Sequence, residues 1–564
     1  MALVAGMNLV SLLLLFPTLF LSFLAPPANS TMTRTGSLLV SAVAVLTGVL
    51  PGARAEFEET CAGLSKQLAL ENATVTLADF VKAGTNISLP GLDPSCGAPF
   101  TVAPADICRV GLTLATSERS STKMEAWLPR NWTGRFVATG NGGLNGCIDF
   151  ASMAYTSNLG FAATGSDNGH SGQNGTTMLN NIDVVKDFAW RALDTSVAVG
   201  KQVASEFYGK KHDKSYYFGC STGGRQGWKM AQDFPDNFDG VVAGAPAFAF
   251  NNLTSWSGTF FPIIKAAGAD GFPTQALAAL DAELLRQCDE IDGAKDGIIE
   301  EPSLCNFRPE ALICSPATNS PSSECITGKQ AETVRKIYSD LHGIDGDLVY
   351  PRMQPGAGIL AQIFGIYGSA DEQFLYTDHW FKFAVYNDPN FDTSVVTPKM
   401  MADAWNKDAG SINTWSGDLS KFAGRGSKIL HYHGQEDSII SSANSNRYYD
   451  HVSRTMGKPA AELDDFYRFF RISGMSHCQG GPGATAIGQG DGSSASLDPE
   501  ENVLMAMVRW VEEGKAPERI VGTAFVNQTA SAGVDYKRAH CKFPTRNVYK
   551  GTGDVKEIDS WKCI

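Results

Sequence analysis

The sequence predicts an α/β protein: a mostly parallel β-sheet with helices on both faces, interrupted by an inserted lid domain. Two observations predict this architecture. From about Arg135, short β-branched or aromatic runs alternate with longer helical patterns, as they do in parallel sheets. Between residues 247 and 407 the alternation stops, and Trp, Phe, Pro and Gly become frequent. We therefore expect a discontinuous core, formed by residues 56–246 and 408–564.

The elements of this core are predicted from local patterns. Runs rich in β-branched and aromatic residues predict strands at residues 135–139, 215–218, 239–243, 428–432 and 466–472. Apolar residues at helical spacing predict helices at residues 183–208, 224–233 and 502–513. The second helix stops before Pro235, because a proline cannot continue it.

Composition excludes several classes of protein. The chain is 43% hydrophobic and 19% charged, which is ordinary for a globular protein and unlike a disordered or fibrous one. Its formal net charge is −13, and no basic run stands out, so nucleic acid is not an expected partner. No organic cofactor is expected, and the oligomeric state is left open.

The first 55 residues have the pattern of a leader for export. Residues 32–55 have the layout of a signal peptide: Arg34 precedes an apolar stretch, and residues 53–55 offer a small-x-small cleavage pattern. The mature chain would then begin near Glu56, with no membrane segment after cleavage. A longer or anchored leader is the competing interpretation.

Cysteines and glycosylation sequons also indicate export. Twelve cysteines fit six disulfides in an oxidising compartment, and the sequence has no Cys-x-x-Cys pair of the kind that binds metals. Asn-x-Ser/Thr sequons occur at Asn72, Asn86, Asn131, Asn174, Asn252 and Asn527. Together with the leader, these features predict a secreted, extracellular glycoprotein.

Ser221 is the candidate nucleophile. Residues 219–223 have the Gly-x-Ser-x-Gly pattern, in which the serine stands on a strained turn that exposes its hydroxyl. The bare pattern is common in a chain with 57 glycines, but a predicted strand precedes this one and a predicted helix follows it. That context predicts the nucleophile turn of an α/β-hydrolase.

A nucleophilic serine needs a base and an acid, which follow it along the chain in this fold. His477 lies in a loop of small residues after the last predicted strand, where no other histidine is placed. Asp437 follows the preceding predicted strand through a turn, so its carboxylate can reach His477. The competing carboxylates are Glu436, which should point away, and the pair Asp464 and Asp465, which read as solvated charges.

The oxyanion hole needs two backbone N–H groups. In this fold one comes from the residue after the nucleophile, here Thr222, and the other from a glycine-rich loop after an earlier strand. Residues 140–143 fit that loop, with Gly142 or Gly143 as the donor.

Three further histidines are weighed as pocket-lining or structural residues. His431 and His433 occupy a predicted strand and are interpreted as structural or pocket-lining residues. His170 is a candidate pocket residue, although general burial habits favour a satisfied surface histidine.

Ser221 and His477 each have a cysteine as an immediate neighbour, Cys220 and Cys478, and this arrangement resembles the tannase and feruloyl esterase family. In that family the cysteines beside the catalytic serine and histidine are joined. The resemblance implies a triad of Ser221, Asp437 and His477, and a disulfide between Cys220 and Cys478. Such a bond fixes a nucleophile and a base that are far apart in the chain.

The resemblance runs from about Cys61 to Cys563 and includes residues 127–131 and 139–143. Within the family, the chain is similar to the type B feruloyl esterases secreted by fungi. The other disulfides that it implies are Cys61–Cys108, Cys96–Cys147, Cys288–Cys305, Cys314–Cys325 and Cys541–Cys563.

The lid carries a candidate calcium loop at residues 288–298, where carboxylates alternate with two glycines. Oxygen ligands on such a loop suit Ca²⁺, although the pattern alone is as often a plain acidic turn. The resembled family has a structural calcium here. The implied ligands are the side chains of Asp289, Asp292 and Asp296 and the backbone carbonyls of Ala294 and Ile298.

The resemblance implies hydrolysis of esters that join ferulic or related hydroxycinnamic acids to plant cell-wall polysaccharides or oligosaccharides, and of small phenolic esters. Aromatic residues of the lid suit a flat acyl group, while core packing is the competing role for each of them. These residues are Trp256, Phe260, Phe261, Phe364, Tyr367, Trp380 and Phe381.

Three alternatives remain. A tannase would act on galloyl esters through the same triad. An inactive hydrolase fold that binds carbohydrate would usually have lost the serine or the histidine, and both are present. A lipase would have an aliphatic lid, whereas this lid is aromatic and polar.

Overall fold

The computed structural model describes residues 51–564, apart from residues 269, 316–320, 369–370, 491–492 and 494. The predicted leader lies outside this part except for its last residues, so the signal segment stays a prediction. Within the described part, no helix combines the length and the apolar run that crossing a bilayer requires.

The strands are β1 (Ala73–Val81), β2 (Asn86–Ser88), β3 (Phe100–Val102), β4 (Ile107–Ser117), β5 (Ser120–Pro129), β6 (Arg135–Thr139), β7 (Ala162–Ser166), β8 (Lys214–Cys220), β9 (Gly240–Gly244), β10 (Leu341–His342), β11 (Leu348–Tyr350), β12 (Lys428–Gly434), β13 (Tyr467–Ile472), β14 (Arg519–Phe525), β15 (Val534–Cys541), β16 (Asn547–Tyr549) and β17 (Trp561–Cys563). The helices are α1 (Pro51–Gln67), α2 (Phe150–Asn158), α3 (Ile182–Lys186), α4 (Ala192–Tyr208), α5 (Thr222–Asp233), α6 (Phe250–Ala266), α7 (Leu277–Cys288), α8 (Gly328–Ile337), α9 (Ile359–Ile363), α10 (Leu375–His379), α11 (Pro398–Lys407), α12 (Ser420–Gly424), α13 (Ala443–Met456), α14 (Ala460–Leu463) and α15 (Val503–Glu513).

A nine-stranded sheet forms the centre of the molecule, in the order β1-β4-β5-β7-β6-β8-β9-β12-β13. Six neighbouring strands of this sheet pair in parallel, in the order β7-β6-β8-β9-β12-β13. This confirms the predicted parallel core. Three strands, β1, β4 and β5, extend one edge in antiparallel fashion. The carboxyl ends of β8 and β12 therefore lie on the same edge of the sheet, where binding sites form in such folds.

Both faces of the sheet are covered, because alternate strand residues point to opposite sides. In β8, Tyr217 packs into one hydrophobic core with helices α4, α5 and α13. Its neighbours Tyr216 and Phe218 pack into the other core, with helices α2 and α15. This two-sided burial confirms the prediction of helices on both faces of the sheet.

Two features of the core differ from the sequence prediction. The helix expected at residues 183–208 is divided into α3, a π-helical segment Asp187–Arg191, and α4. The wider turn leaves carbonyls for other donors: the buried Arg225 donates to the carbonyls of Phe188 and Ala189. The antiparallel strands before β6 were also missed, because no helical segment separates them.

Residues 247–407 contribute no described strand to the central sheet. They form helices α6 to α11 and the small β10–β11 hairpin, packed around a third hydrophobic core. That core also takes up Phe188 and Ile440 from outside the segment. Exact domain limits, including the division at residues 246 and 408, stay a prediction.

The predicted glycosylation sequons differ in exposure. The asparagines at positions 252 and 174 are half-buried, and Asn252 donates to the carbonyl of Val349 at 3.3 Å. The exposed ones are Asn72, Asn86, Asn131 and Asn527.

Candidate active site

Ser221 occupies a strained turn between β8 and α5. Its φ of 64° and ψ of −123° lie outside the regions that non-glycine residues normally adopt. The turn is held on both sides: the Ser221 N–H donates to the carbonyl of Gly244 at 3.0 Å, and the Ser221 carbonyl accepts from the N–H of Ala247 at 3.1 Å. The partly exposed serine therefore stands at the start of a helix, as the sequence pattern predicts.

Glycines let the loop after β6 reach this turn. A Cβ atom on Gly140 would lie 2.5 Å from the Cα of Gly223, a separation that real Cβ atoms do not show. Asn141 is then fixed by a buried amide network: its N–H donates to Gln226 Oε1, and Gln226 Nε2 donates to Asn141 Oδ1, both at 3.0 Å. The loop that carries Gly142 and Gly143 is thus preorganised beside the nucleophile.

The structure brings His477 and Asp437 together. Nδ1 of His477 donates to Oδ2 of Asp437 at 2.7 Å, and Oδ1 of Asp437 accepts the N–H groups of Ile439 and Ile440, both at 2.8 Å. Burial alone would raise the pKa of Asp437. The charge of His477 and hydrogen bonds from His433 and His477 outweigh it and hold this pKa well below its usual range.

A disulfide joins the serine turn to the histidine loop. Cys220 and Cys478 are bonded, with their Cα atoms 6.0 Å apart, across 258 residues of sequence. Because each cysteine is the immediate neighbour of a catalytic candidate, the bond confines Ser221 and His477 to one place. The six disulfides of the structure have the pairings that the family resemblance implies.

The candidate oxyanion loop is tied to the nucleophile helix. The hydroxyl of Thr222 donates to the carbonyl of Gly143 at 2.6 Å. Thr222 is the first residue of α5, a position whose N–H has no partner within the helix. Gly143 has a φ of 51° and lines the pocket beside Ser221, whereas Gly142 does not line it. The geometry therefore favours Gly143 over Gly142 as the second donor.

A narrow pocket adjoins Ser221. Its volume is about 30 Å³. Side chains of the inserted segment and of the loop after Asp437 line it: Phe250, Leu253, Thr254, Ser257, Phe374, Tyr376, Ile439 and Ile440. A roomier groove elsewhere is lined by Trp405 and Trp415, but none of the catalytic candidates lines that one.

The aromatic residues singled out in the sequence are not those of the pocket. Trp256, Trp380 and Tyr367 are at most 2% exposed and belong to the core of the inserted segment. Phe260, Phe261, Phe364 and Phe381 do not line the pocket either. The pocket aromatics are Phe250, Phe374 and Tyr376. Core and pocket aromatics look alike in sequence, so no pattern could have separated them.

Other side chains near the triad differ from expectation. His170 is not a surface residue: it is buried, and its Nε2 lies 3.0 Å from the carbonyl of Leu144. Asp464 is not a solvated charge, because its Oδ2 pairs with Lys542 at 2.5 Å. The Glu436 carboxylate is buried, neither of its oxygens has a hydrogen-bond partner among the described residues, and burial raises its pKa to about 8.

Sequence reasoning missed the role of His433. Its Nε2 lies 3.1 Å from Oδ2 of Asp437, the same oxygen that His477 contacts. The side chains of both histidine and aspartate are fully buried. The sequence held one signal of this contact, because His433 lies only four residues before Asp437 at the end of a strand. Sequence reasoning did not anticipate that two histidines would contact the same carboxylate.

The candidate calcium loop gathers acidic side chains around one guanidinium. Asp296 pairs with Arg538 at 2.9 Å, and Asp289 accepts the N–H of Gly297 at 3.1 Å. Asp292 is buried, and its Oδ2 has no hydrogen-bond partner among the described residues. Burial raises the pKa of Asp292 to about 7. A buried carboxylate oxygen without a partner is what a cation would satisfy.

Side chains alone do not complete that site. In the described part of the chain, no three His, Cys, Asp or Glu side chains come together closely enough to hold a metal ion. Calcium also accepts backbone carbonyls, so the oxygen-rich loop fits Ca²⁺ in its donor chemistry and does not fit a transition metal.

Comparison with known proteins identifies the family of the chain. The family model for tannase and feruloyl esterase matches residues 108–564. A probable feruloyl esterase B-2 of Aspergillus terreus is 48% identical over 509 residues, covering 90% of this chain and 95% of the relative. A probable feruloyl esterase B-2 of Aspergillus oryzae is 48% identical over the same share of this chain and 96% of its own length.

Solved structures show the same fold. The crystal structure of feruloyl esterase B from Aspergillus oryzae matches with a TM-score of 0.87 and 47% identity, covering 90% of this chain and all of that one. The tannin acyl hydrolase of Aspergillus niger matches with a TM-score of 0.69 and 23% identity over 90% of this chain and 95% of that chain, a likeness of fold alone. The chain belongs to the tannase and feruloyl esterase family of carboxylic ester hydrolases.

Proposed function

We propose that this protein is a serine esterase that releases ferulic or related hydroxycinnamic acids from plant cell-wall polysaccharides. The observation that carries the proposal is the 2.7 Å hydrogen bond between His477 and Asp437, held beside Ser221 by the Cys220–Cys478 disulfide. Relatives named feruloyl esterase B at 48% identity support the choice of acyl group.

In the proposed mechanism, Nε2 of His477 takes the proton of Ser221 as its Oγ attacks the ester carbonyl. The bond between the carbonyl carbon and the leaving oxygen then breaks, and His477 gives its proton to the departing sugar hydroxyl. Water repeats the sequence on the acyl-enzyme and releases the acid. Asp437 keeps Nδ1 of His477 protonated, so that Nε2 faces the serine as a base, and it stabilises the imidazolium.

The N–H groups of Thr222 and Gly143 would bind the oxyanion of the tetrahedral intermediate. Each such donor contributes roughly 3 kcal/mol to lowering the barrier when it is fixed in advance. The hydrogen bond between the Thr222 hydroxyl and the Gly143 carbonyl supports this assignment, because it holds the two donor residues together.

The chemistry of the pocket supports feruloyl over galloyl esters. Among the described residues that line it, none has a charged or amide side chain. The hydroxyl of Thr254 is already committed to the helix carbonyl of Phe250 at 3.0 Å. A galloyl ring would bury three hydroxyls with few partners, at roughly 1–3 kcal/mol for each one left unpaired. A feruloyl ring carries one hydroxyl and one methoxy group.

Two measurements test the proposal. Ser221→Ala should abolish hydrolysis of methyl ferulate without lowering Tm, because the side chain is partly exposed; full activity in that variant would refute the serine mechanism. Purified protein should then be given methyl ferulate, caffeate, p-coumarate, sinapate and gallate. A higher kcat/KM for gallate than for ferulate would move the assignment to tannase.

We also propose that residues 288–298 bind a structural calcium ion. The side chains of Asp289, Asp292 and Asp296 and the carbonyls of Ala294 and Ile298 would hold it. The unpartnered oxygen of Asp292 supports this proposal. The ion would neutralise a buried acidic loop of the inserted segment, which we propose acts as the lid of the active site, and it would take no part in the chemistry.

Export is likewise a proposal. The described residues contain six disulfides and no free cysteine, which fits an oxidising compartment. A mature N-terminus near Glu56, found by mass spectrometry of protein from the culture medium, would support it. Retention of the full leader in a cell-associated protein would contradict it.

A further inference from the structure

A chain of buried hydrogen bonds ends on the catalytic aspartate. It begins at the hydroxyl of Tyr467, which lies 3.0 Å from Nδ1 of His431. Nε2 of His431 lies 3.0 Å from the hydroxyl of Ser445, which in turn lies 2.7 Å from Nδ1 of His433. Nε2 of His433 then reaches Oδ2 of Asp437 at 3.1 Å.

The protons of this chain can be placed by elimination. Burial keeps Tyr467 protonated by raising its pKa, and the only partner of its hydroxyl among the described residues is Nδ1 of His431. Tyr467 therefore donates to His431. Burial lowers the pKa of His431 well below its usual range, so this imidazole is neutral. Its single proton stands on Nε2 and is donated to Ser445.

The other end of the chain agrees with this direction. The Ser445 hydroxyl, having accepted from His431, donates to Nδ1 of His433. Nε2 of His433 faces two acceptors that cannot donate, Oδ2 of Asp437 and the carbonyl of Ile440, both at 3.1 Å. Nε2 of His433 must therefore carry a proton. In every hydrogen bond of this series, the donor lies on the Tyr467 side and the acceptor on the Asp437 side.

We infer that His433 is a positioning residue for the proposed triad, oriented by the chain from Tyr467 through His431 and Ser445. It supplies a fixed second donor to the oxygen of Asp437 that also holds His477. Because Nε2 of His433 is committed to Asp437 and to Ile440, His433 cannot exchange its proton with Ser221. Only His477 is then left to act as the base.

Few other charges face this carboxylate. Glu436 precedes it but is uncharged at neutral pH, because burial raises its pKa to about 8. Tyr350 and Tyr367, from the inserted segment, are near enough for Asp437 to help raise their pKa, and burial is the larger cause in both. Asp437 is therefore the one negative charge of this group, and the two histidines are its side-chain donors.

The test is the pH profile of kcat/KM on methyl ferulate. In His433→Phe, Oδ2 of Asp437 serves His477 alone and stabilises its imidazolium better. We expect the acid limb to move to higher pH for that reason. We expect kcat to fall about tenfold, with KM little changed, because Asp437 loses the hydrogen bond that positions it. The proton between His477 and Asp437 should also move downfield in the NMR spectrum.

Milder variants keep the test decisive if His433→Phe does not fold. Ser445→Ala interrupts the chain and should shift the acid limb in the same direction, whereas Ser445→Thr keeps the hydroxyl and should restore it. Tyr467→Phe removes the first donor. Its matched control is Tyr448→Phe: Tyr448 is equally buried beside Trp228, but its hydroxyl donates to the carbonyl of Ser416.

This inference rests on the proposed triad, and the two can fail separately. If Asp437→Asn keeps full activity, the triad itself is wrong. If Asp437→Asn is inactive while the His433 and Ser445 variants keep the wild-type acid limb, kcat and NMR signal, only the inference about His433 is wrong. An equal loss of kcat in Tyr467→Phe and Tyr448→Phe, without a shifted limb, would also overturn it.

Discussion

Gly143 shows how closely a single residue is fitted to the site. A Cβ atom at this position would lie 2.2 Å from the hydroxyl oxygen of Tyr376, and the backbone φ of 51° is unfavourable for any residue with a side chain. Tyr376, Gly143 and Ser221 line one pocket. The absence of a side chain at residue 143 is what lets the ring of Tyr376 approach the oxyanion loop.

We therefore predict that Gly143→Ala lowers kcat/KM on methyl ferulate at least about tenfold, because Tyr376 and the oxyanion donor must both shift. Gly142→Ala is the matched control. Its Cβ atom would meet only Nδ2 of Asn145, at an ordinary 3.5 Å. Steady-state kinetics on both variants, with Tm measured in parallel, shows which of the two glycines is needed for activity. Equal losses at the two positions would contradict the assignment of Gly143 as the donor.

Ser221 and His477 are candidates because each has a local signature, whereas Asp437 is a candidate only by its place after a predicted strand. Ser221 stands between glycines, and Ser221 and His477 each adjoin a cysteine, so a few neighbouring letters identify them. Phe374 and Tyr376 have no such signature. They reach Ser221 through the packing of the inserted segment, which involves residues far apart in sequence, and no local pattern records that packing.

At the scale of elements, the loop at residues 288–298 links pH to stability. Without a cation, the pKa of Asp292 rises to about 7 on folding, chiefly through burial. The folded protein then holds a proton that the unfolded chain releases near pH 4, so stability is lost as pH rises from about 4 to about 7. Glu300, whose pKa burial also raises to about 7, adds to this loss.

We predict that EGTA lowers Tm, and lowers it more at pH 7 than at pH 5. With Ca²⁺ present, the fall of Tm over this range should be much reduced, because the ion replaces the proton. Differential scanning calorimetry of the two forms measures both effects. Asp292→Asn should abolish the response to calcium and reduce the pH dependence. A Tm that ignores EGTA at pH 7 would contradict the calcium proposal.

The Cys220–Cys478 bond and the nucleophile turn act as one element. We predict that the double variant Cys220→Ala/Cys478→Ala loses at least about tenfold in kcat with a smaller change in KM, because His477 is no longer confined beside Ser221. Loss of the loop constraint also costs up to about 5 kcal/mol in the chain-entropy model.

Cys541→Ala/Cys563→Ala is the matched control, since it removes a disulfide near the C-terminus whose cysteines are not sequence neighbours of Ser221, Asp437 or His477. It should lower Tm and leave kcat unchanged at a temperature where both variants are folded. A double variant at Cys220 and Cys478 with wild-type kcat would show that the bond serves stability alone.

Elements were predicted best where helices separate the strands. The strand expected at residues 135–139 coincides with β6, and the helix expected at residues 224–233 falls within α5. The hairpin of β4 and β5 was missed, since its strands follow each other without a helical pattern between them. The π-helical segment was missed; its carbonyl at Ala189 accepts from the buried guanidinium of Arg225, a contact made across the fold that no local pattern records.

At the scale of the whole molecule, exposure should decide which sequons carry glycans. Asn72, Asn86, Asn131 and Asn527 are exposed, so we predict high occupancy at these sites when the protein is secreted by a eukaryotic host. Asn252 should be poorly occupied, because it lies half-buried in α6 and its amide already donates to a carbonyl. Peptide mapping before and after deglycosylation measures the occupancy, and a fully occupied Asn252 would contradict the prediction.

The disulfide between Cys220 and Cys478 has a topological consequence for the inserted segment. All residues from 221 to 477 form a closed covalent ring together with this bond. A protease that cuts once anywhere in that ring produces no separate fragment: the nicked protein migrates as one species on a non-reducing gel and as two after reduction. A cut through the exposed surface of the segment thus leaves the serine turn and the histidine loop joined, so a nicked molecule can still hold its reacting groups in place.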